Sequence, residues 1–261
     1  MLRSLYTAAT GMDAQQTKLD VVAHNLANAS TNGFKKTRTD FQDLLSETIR
    51  SASAPGAAGG GQPAPLQVGL GVRTASTSRS LAQGDLVSTE NTWDLAIEGS
   101  GFFRIQRANG DAAYTRDGAF RVDSTGRVVT QSGELVEPGI TIPADATQVT
   151  VKSDGTVQVR LSGRTDLTEV GTIQLTTFTN PAGLEAIGGN LLQATDASGE
   201  PVIAKAGEQG AGNISQGYLE NANVKAVEEM INMITTQRSY EMNSKVIQSA
   251  DQMLQRLTQL R

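Results

Sequence analysis

Two tracts of helical periodicity, one at each end of the chain, limit what the sequence can fold into more than any other feature. From Leu2, apolar or small residues recur at Leu2, Leu5, Ala9, Met12, Leu19, Ala23 and Leu26, with Gln16 filling the one gap in an alternation of three- and four-residue steps. That is the heptad pattern of a helix that buries a seam against other helices. Gly11 inside it costs about 1 kcal/mol relative to alanine, so the helix is not maximally stable alone. Towards the other end, Val224, Val227, Ile231 and Ile234 make one stripe. Tyr240, Ile247 and Leu254, with Ala250 and Leu257, make a second one rotated around the axis. Arg238, Glu241 and Lys245 stand where the first stripe would have continued, which predicts a helix that changes its buried face partway and meets more than one neighbour. The two helices can meet as an antiparallel or a parallel pair. We expect them to be loosely ordered in a lone molecule and to lock when neighbouring copies cover their second faces.

The stretch NLANASTNGFKK, Asn25 to Lys36, directly follows His24 and poses a choice between a polar active site and a helix end. Asn32-Gly33 supplies residues that tolerate positive φ, as a helix exit requires. Beyond it, Phe41, Leu44, Leu45 and Ile49 predict a short helical or extended piece, and Ser51 to Pro65, rich in Gly, Ala, Ser and Pro, reads as a flexible or extended loop. From about Leu70 to Ala211 the signals are strands. Val149, Val151, Val157, Val159 and Leu161 alternate around Ser153-Asp154-Gly155, and Phe120/Val122 face Val128/Thr130 across Asp123-Ser124-Thr125-Gly126. Both are hairpins. The fold class that follows is α+β, with terminal helices and a central antiparallel β-rich domain.

Chemistry finds few footholds here. The chain of 261 residues has no cysteine and one histidine, which removes thiol catalysis, cysteine-ligated metals and disulfides. His24, two residues from Leu26 in the first helix, reads as a helix-surface or subunit-contact residue rather than part of a triad or a metal site. A net charge of -5 argues against nucleic acid as a partner. Asp111, Asp117, Asp123 and Asp154 could be imagined as calcium ligands or a glycosidase pair. Their Gly and Ser neighbours place them in turns, where an aspartate bonds its own backbone. Gly69-Leu70-Gly71 and Gly207 to Gly212 lack the Lys-Ser/Thr of a phosphate cradle, and Asn28-Ala29-Ser30 is a glycosylation triplet of little weight. Trp93 reads as an anchor in a core or an interface. No catalytic, cofactor-binding or metal residue is assigned, and no cofactor is expected. Arg3, Asp13, Lys18 and Asp20 interrupt any secretory signal, so export is expected to leave the N-terminus uncleaved.

SLYTAATGMDAQQ and NLANASTNGFKK near the start, with NVKAVEEMINMITTQRSYEMNSKVIQSADQMLQ at the end, resemble the paired terminal signatures of the bacterial flagellar rod, hook and hook-associated axial proteins. DLAIEGSGFF, YTRDGAF and LTTFTNPAGLEAIGGN between them are similar to the same family, most of all to its distal-rod members. The resemblance runs along nearly the whole chain. It implies a coiled-coil inner domain from residues 1–33 and 222–261, a connecting region at 34–70, and a β-rich outer domain at 71–221. It further implies a structural, non-enzymatic subunit of the basal body that assembles helically with its own kind into a rigid drive shaft needed for motility. Implied partners are proximal rod proteins, the hook protein, the P-ring and L-ring proteins, the type III export apparatus and the rod cap, with no small-molecule substrate. The place would be the rod that spans the periplasm to the outer membrane. The segment from about Ser46 to Leu66 sits where distal-rod members carry an insertion associated with stiffness. Combined with the periodicity, the self-assembly interface is expected at Leu5, Met12, Leu19, Leu26, Val227, Ile231, Ile234, Tyr240, Ile247, Leu254 and Leu257. The alternatives are a sibling axial protein, from the hook or proximal rod, and a secreted β-rich carbohydrate-active protein.

Overall fold

The computed structural model describes residues 2–51, 64–164 and 166–259, so most of the expected Ser51–Pro65 loop lies outside the described residues. The chain divides into two compact units, a helical one and a β one. Helix α1 (Leu2–Ala27), the segment Thr37–Ser78 and helix α2 (Ala226–Gln259) form the first. Glu228 and Glu229 in the first turn of α2 complement the positive end of its dipole. Where a helical or an extended piece was open, the chain is extended. Thr37–Asp43 pairs with Val72–Arg79, and Ser46–Arg50 pairs antiparallel with Leu66–Gly69 in a hairpin whose side chains are all exposed.

Residues Asn28–Lys36 and Arg79–Val224 make the β unit. Phe102–Gln106 is the centre of its larger sheet, flanked antiparallel by Ala112–Thr115, Leu135–Val136 and Gln174–Thr177. Ala146–Val151, Thr156–Leu161 and Leu167–Thr172 form a second sheet, in which Val149 faces Val159 and Val151 faces Val157, the expected hairpin. The other expected hairpin is present too, with Val122 opposite Val128. Strands continue past the expected limit at Ala211: Asn213–Gln216 pairs with Leu95–Glu98, and Tyr218–Glu220 with Leu86–Ser88.

Alternation along the central strand sorts the core into two layers. Phe103 and Ile105 point into the main cluster with Leu95, Ile97, Val157, Val159, Ile173, Leu175 and Ile214. Phe102 points the other way, to Tyr114, Phe178, Leu184 and Leu192. Edge-on ring pairs knit both layers, Phe103 on Phe120 with centroids 5.0 Å apart and Tyr114 on Phe178 at 4.8 Å. Trp93 packs half-buried against the main cluster.

Candidate assembly surface

Helices α1 and α2 run antiparallel. Asn25, near the end of α1, donates from Nδ2 to Glu229 Oε2 near the start of α2, at 3.4 Å, whereas Gly11 lies against Asn243 far along α2. A Cβ on Gly11 would come within 2.9 Å of Asn243 Nδ2, so the glycine that weakens the helix also makes room for the Asn243 amide. The inner line of α1 is Ala8, Gly11, Gln15, Lys18, Val22 and Asn25, of which Ala8, Val22 and Asn25 are buried, with the buried Ala14 beside it. This line sits one residue before the heptad seam read from the sequence, a rotation of about 100°. Leu5, Met12, Leu19 and Leu26 are therefore half-buried on its flank, while Ala9 and Ala23 are exposed.

On α2 the inner line is Glu229, Asn232, Thr236, Ser239, Asn243, Ile247, Ala250 and Leu254, polar along its first half. Glu229 and Thr236 are buried there, and Thr236 Oγ1 bonds back to the Asn232 carbonyl at 2.7 Å. The expected switch of buried face is corrected by this line: one face points inward along the whole helix. It is the apolar character that moves. Val227, Ile231 and Ile234 lie on the outer side, and Met242, Val246 and Met253 continue that outer row in three- and four-residue steps through Arg238 and Ser249. These six and Met230 are 46–65 % exposed. Of the remaining expected residues, Tyr240 is exposed, Ile247 and Leu254 are half-buried on the inner line, and the Leu257 side chain lies outside the described residues. Met242, Val246 and Met253 lie beyond the charged Arg238, Glu241 and Lys245, which in sequence end the stripe, and Met230 lies beside it. A drift of the row around the axis carries it through Arg238 and past Glu241 and Lys245.

A different arrangement of charge lies inside the β unit. Glu220 is fully buried, and its carboxylate accepts from Lys35 Nζ at 2.5 Å, from the Gly84 N–H at 2.9 Å and from Arg116 Nη1 at 3.2 Å. Two cations meet one anion, and the second positive charge is spread over carbonyls and a ring: Arg116 Nη2 donates to Gly99 O at 2.6 Å, and its guanidinium lies 5.4 Å from the Phe102 centroid. Burial pulls the Lys35 ammonium below the ordinary lysine range against the hydrogen bond and charge of Glu220, and lowers Arg116 likewise. Lys35 comes from the Asn-rich stretch. That stretch is thus a helix exit whose far end is embedded in a core: Gly33, at φ +67°, has its ideal Cβ position 2.6 Å from Asp117 N, and only glycine fits.

The aspartates are turn residues. Asp123 Oδ1 accepts from the Thr125 hydroxyl and from the Arg127 and Thr125 N–H groups, which hold its carboxyl well below the usual range, and Asp154 Oδ1 accepts from the Thr156 N–H. Asp117 Oδ1 accepts from the Ala119 N–H, and burial raises its pKa. His24 sits on the exposed side of α1. Among the described residues, no cluster of three His, Cys, Asp or Glu side chains is arranged to hold a metal, and no helix is long and apolar enough to cross a membrane.

Comparison with known proteins addresses both units. Residues 5–35 match the model described as flagella basal body rod protein, 96–159 the FlgE/F/G D1 domain of flagellar hook proteins, and 215–260 the C-terminal region of flagellar basal body rod FlgEFG proteins. The chain is 48% identical over 261 residues to the flagellar basal-body rod protein FlgG of Caulobacter vibrioides, and 46% identical over 260 residues to that of Buchnera aphidicola from Acyrthosiphon pisum, covering the whole of each chain. The flagellar hook protein FlgE of Helicobacter mustelae is 44% identical over 138 residues, covering 52% of this chain and 30% of its own. With full-length identity to rod proteins and both terminal signatures in place, the chain belongs to the family of the flagellar basal-body rod protein FlgG.

Proposed function

We propose that the chain is a structural subunit of the flagellar distal rod, which assembles helically with copies of itself into a rigid tube that carries motor torque to the hook. The observation that carries this reading is the outer row of α2, where Val227, Ile231, Ile234, Met242, Val246 and Met253 leave an apolar face without cover in a single molecule. A second copy supplies that cover. Leu5, Met12, Leu19, Leu26 and Tyr240 complete the contact around the helix pair, and the half-buried Ile247 and Leu254 join it together with Leu257. In the tube, residues 1–33 and 222–261 form the inner wall, 34–70 connects, and 71–221 stands at larger radius.

Proximal rod and hook proteins join the rod at its two ends, the P-ring and L-ring proteins surround it, and the export apparatus and rod cap deliver and place subunits whose N-terminus is uncleaved. The work is mechanical and the subunit is not an enzyme. Full-length identity favours the rod over the hook, since the hook relative matches only half of the chain.

The test replaces Ile231 and Ile234 together by glutamate. Wild-type protein is expected to sediment as polymer and give tubes by electron microscopy, and the double variant to stay in the supernatant with unchanged circular dichroism. Tubes formed by I231E/I234E at wild-type concentration would overturn the reading of this face. Labelled subunits in isolated basal bodies, located between the proximal rod and the hook, check the distal position. A zymogram band cleared by the purified protein, and lost on substitution of Asp117, would revive a carbohydrate-active protein.

A further inference from the structure

The chain passes between its two units four times, at Ala27/Asn28, Lys36/Thr37, Ser78/Arg79 and Val224/Lys225. Inside the β unit, the residues beside three of these passages are laced together by one side chain. Asn223 Oδ1 accepts from the Lys36 N–H at 2.7 Å, and both protons of its Nδ2 are used, on Ser80 O and Ala82 O at 2.9 Å each. Its backbone N–H donates to Phe34 O, and the Ser80 N–H closes the ring on Lys36 O at 2.8 Å. An asparagine is suited to this place because it offers an acceptor and two donors on one short plane.

One turn of structure inward, the ionic cluster binds the same three segments. The Glu220 carbonyl accepts from the Gly33 N–H at 2.7 Å, its carboxylate holds Lys35 and Gly84, and Lys35 Nζ also donates to Ala82 O at 2.8 Å. Arg116 ties this knot to the central sheet through the strand end after Ala112–Thr115. Every segment that leaves the β unit for the helices by these three passages is thus fastened twice, once at the rim by Asn223 and once in the interior by Glu220.

We infer that Asn223 and the Lys35–Glu220–Arg116 cluster form a force-entry junction, which fixes the spacing of the exiting segments so that load arriving along the chain reaches the β core instead of peeling its rim. The load itself rests on the rod reading; the junction rests on the geometry of the β unit alone. A stabilising side chain with no such role would spread its effect over the whole unit, whereas a junction opens locally when cut.

Hydrogen exchange on the full chain separates these. In Asn223→Asp, which keeps the shape but loses both donors, and in Asn223→Ala, the amides of Lys36 and Ser80 are expected to exchange about tenfold faster or more. Those in Leu95–Glu98 and Thr156–Leu161 keep wild-type rates. Unchanged exchange at Lys36 and Ser80, or acceleration matched in the core strands, overturns the junction and leaves the rod reading untouched, because monomer suffices. In cells, N223D subunits are expected to assemble in wild-type amounts while swimming speed falls. Wild-type swimming with a locally opened rim would overturn the force-entry role.

Discussion

The β unit and the helical unit solve opposite problems. In the β unit the large apolar side chains are inside: Leu95, Ile97, Phe103, Ile105, Val159 and Leu175 are almost wholly shielded, and even its buried charges have partners. Between the helices the buried residues are mostly small or polar, among them Ala8, Val22, Asn25, Glu229, Thr236 and Ala250, and seven large apolar ones of α2, Val227 to Met253, face outward. Apolar surface is the main driving force for both folding and association. A unit that spends it internally is finished alone, whereas one that keeps it outside is built to be completed by another molecule. The contrast explains how one chain can combine a self-sufficient domain with a polymerising one.

The sharpest way to break this comparison is to attack the buried charges. Glu220→Ala leaves Lys35 and Arg116 without their anion, and a loss of about 3–5 kcal/mol of β-unit stability is expected in urea denaturation followed by Trp93 fluorescence. A loss under ~1 kcal/mol would mean that the cluster is not the closed interior described here.

Next comes the polar seam of the helical unit. Asn25 exchanges two hydrogen bonds with the backbone of Thr37, donating to its carbonyl at 2.7 Å and accepting from its N–H at 2.9 Å. Asn25→Ala should cost about 1–3 kcal/mol because a buried peptide is left unpaired. The loss should appear in far-UV helix melting and not in Trp93 fluorescence. By contrast, the I231E/I234E variant should melt within ~0.5 kcal/mol of wild type as a monomer, since exposed positions carry little folding energy. Assembly should be its only casualty.

The smallest effect concerns Asp117. Burial raises its pKa in the fold above the ordinary 3.8, with the nearby charge of Asp94 adding to the rise and hydrogen bonds from Ala119 and Asn190 opposing it. Between pH 3.8 and that raised value the folded chain keeps a proton that the unfolded chain releases, so this group's contribution falls as pH rises through the window and is level above it. Asp117→Asn removes that slope. Denaturation midpoints of the two proteins, compared from about pH 3.5 to 7, should converge or diverge only inside the window.

Much of the β unit was legible because a hairpin writes its pairing locally. Val149, Val151, Val157 and Val159 alternate about a turn of Ser, Asp and Gly, and the register follows from the period of two. The aspartate turns were legible for the same reason. The assembly surface was legible only in part. Val227, Ile231 and Ile234 announced an apolar face, but a row that drifts around the axis through Arg238 to Met242, Val246 and Met253 resembles an interruption when read in strict heptads. Which face of α1 turns inward was not readable either, because Ala8, Val22 and Asn25 do not outrank Leu5, Met12 and Leu19 in hydrophobicity.

By itself the sequence determined the order of helix, strands and helix, the end of the first helix ahead of the turn that carries Asn32-Gly33, and the hairpins, all of which depend on residues within a turn or two of one another. The tertiary structure alone decided that residues 35, 116 and 220 share one buried charge cluster, that Asn223 laces three departing segments, and that the helix pair closes on its small polar side. Those outcomes join positions far apart in the chain, and a buried ion or an inward face is chosen by the whole set of neighbours competing for the space, which no local pattern records.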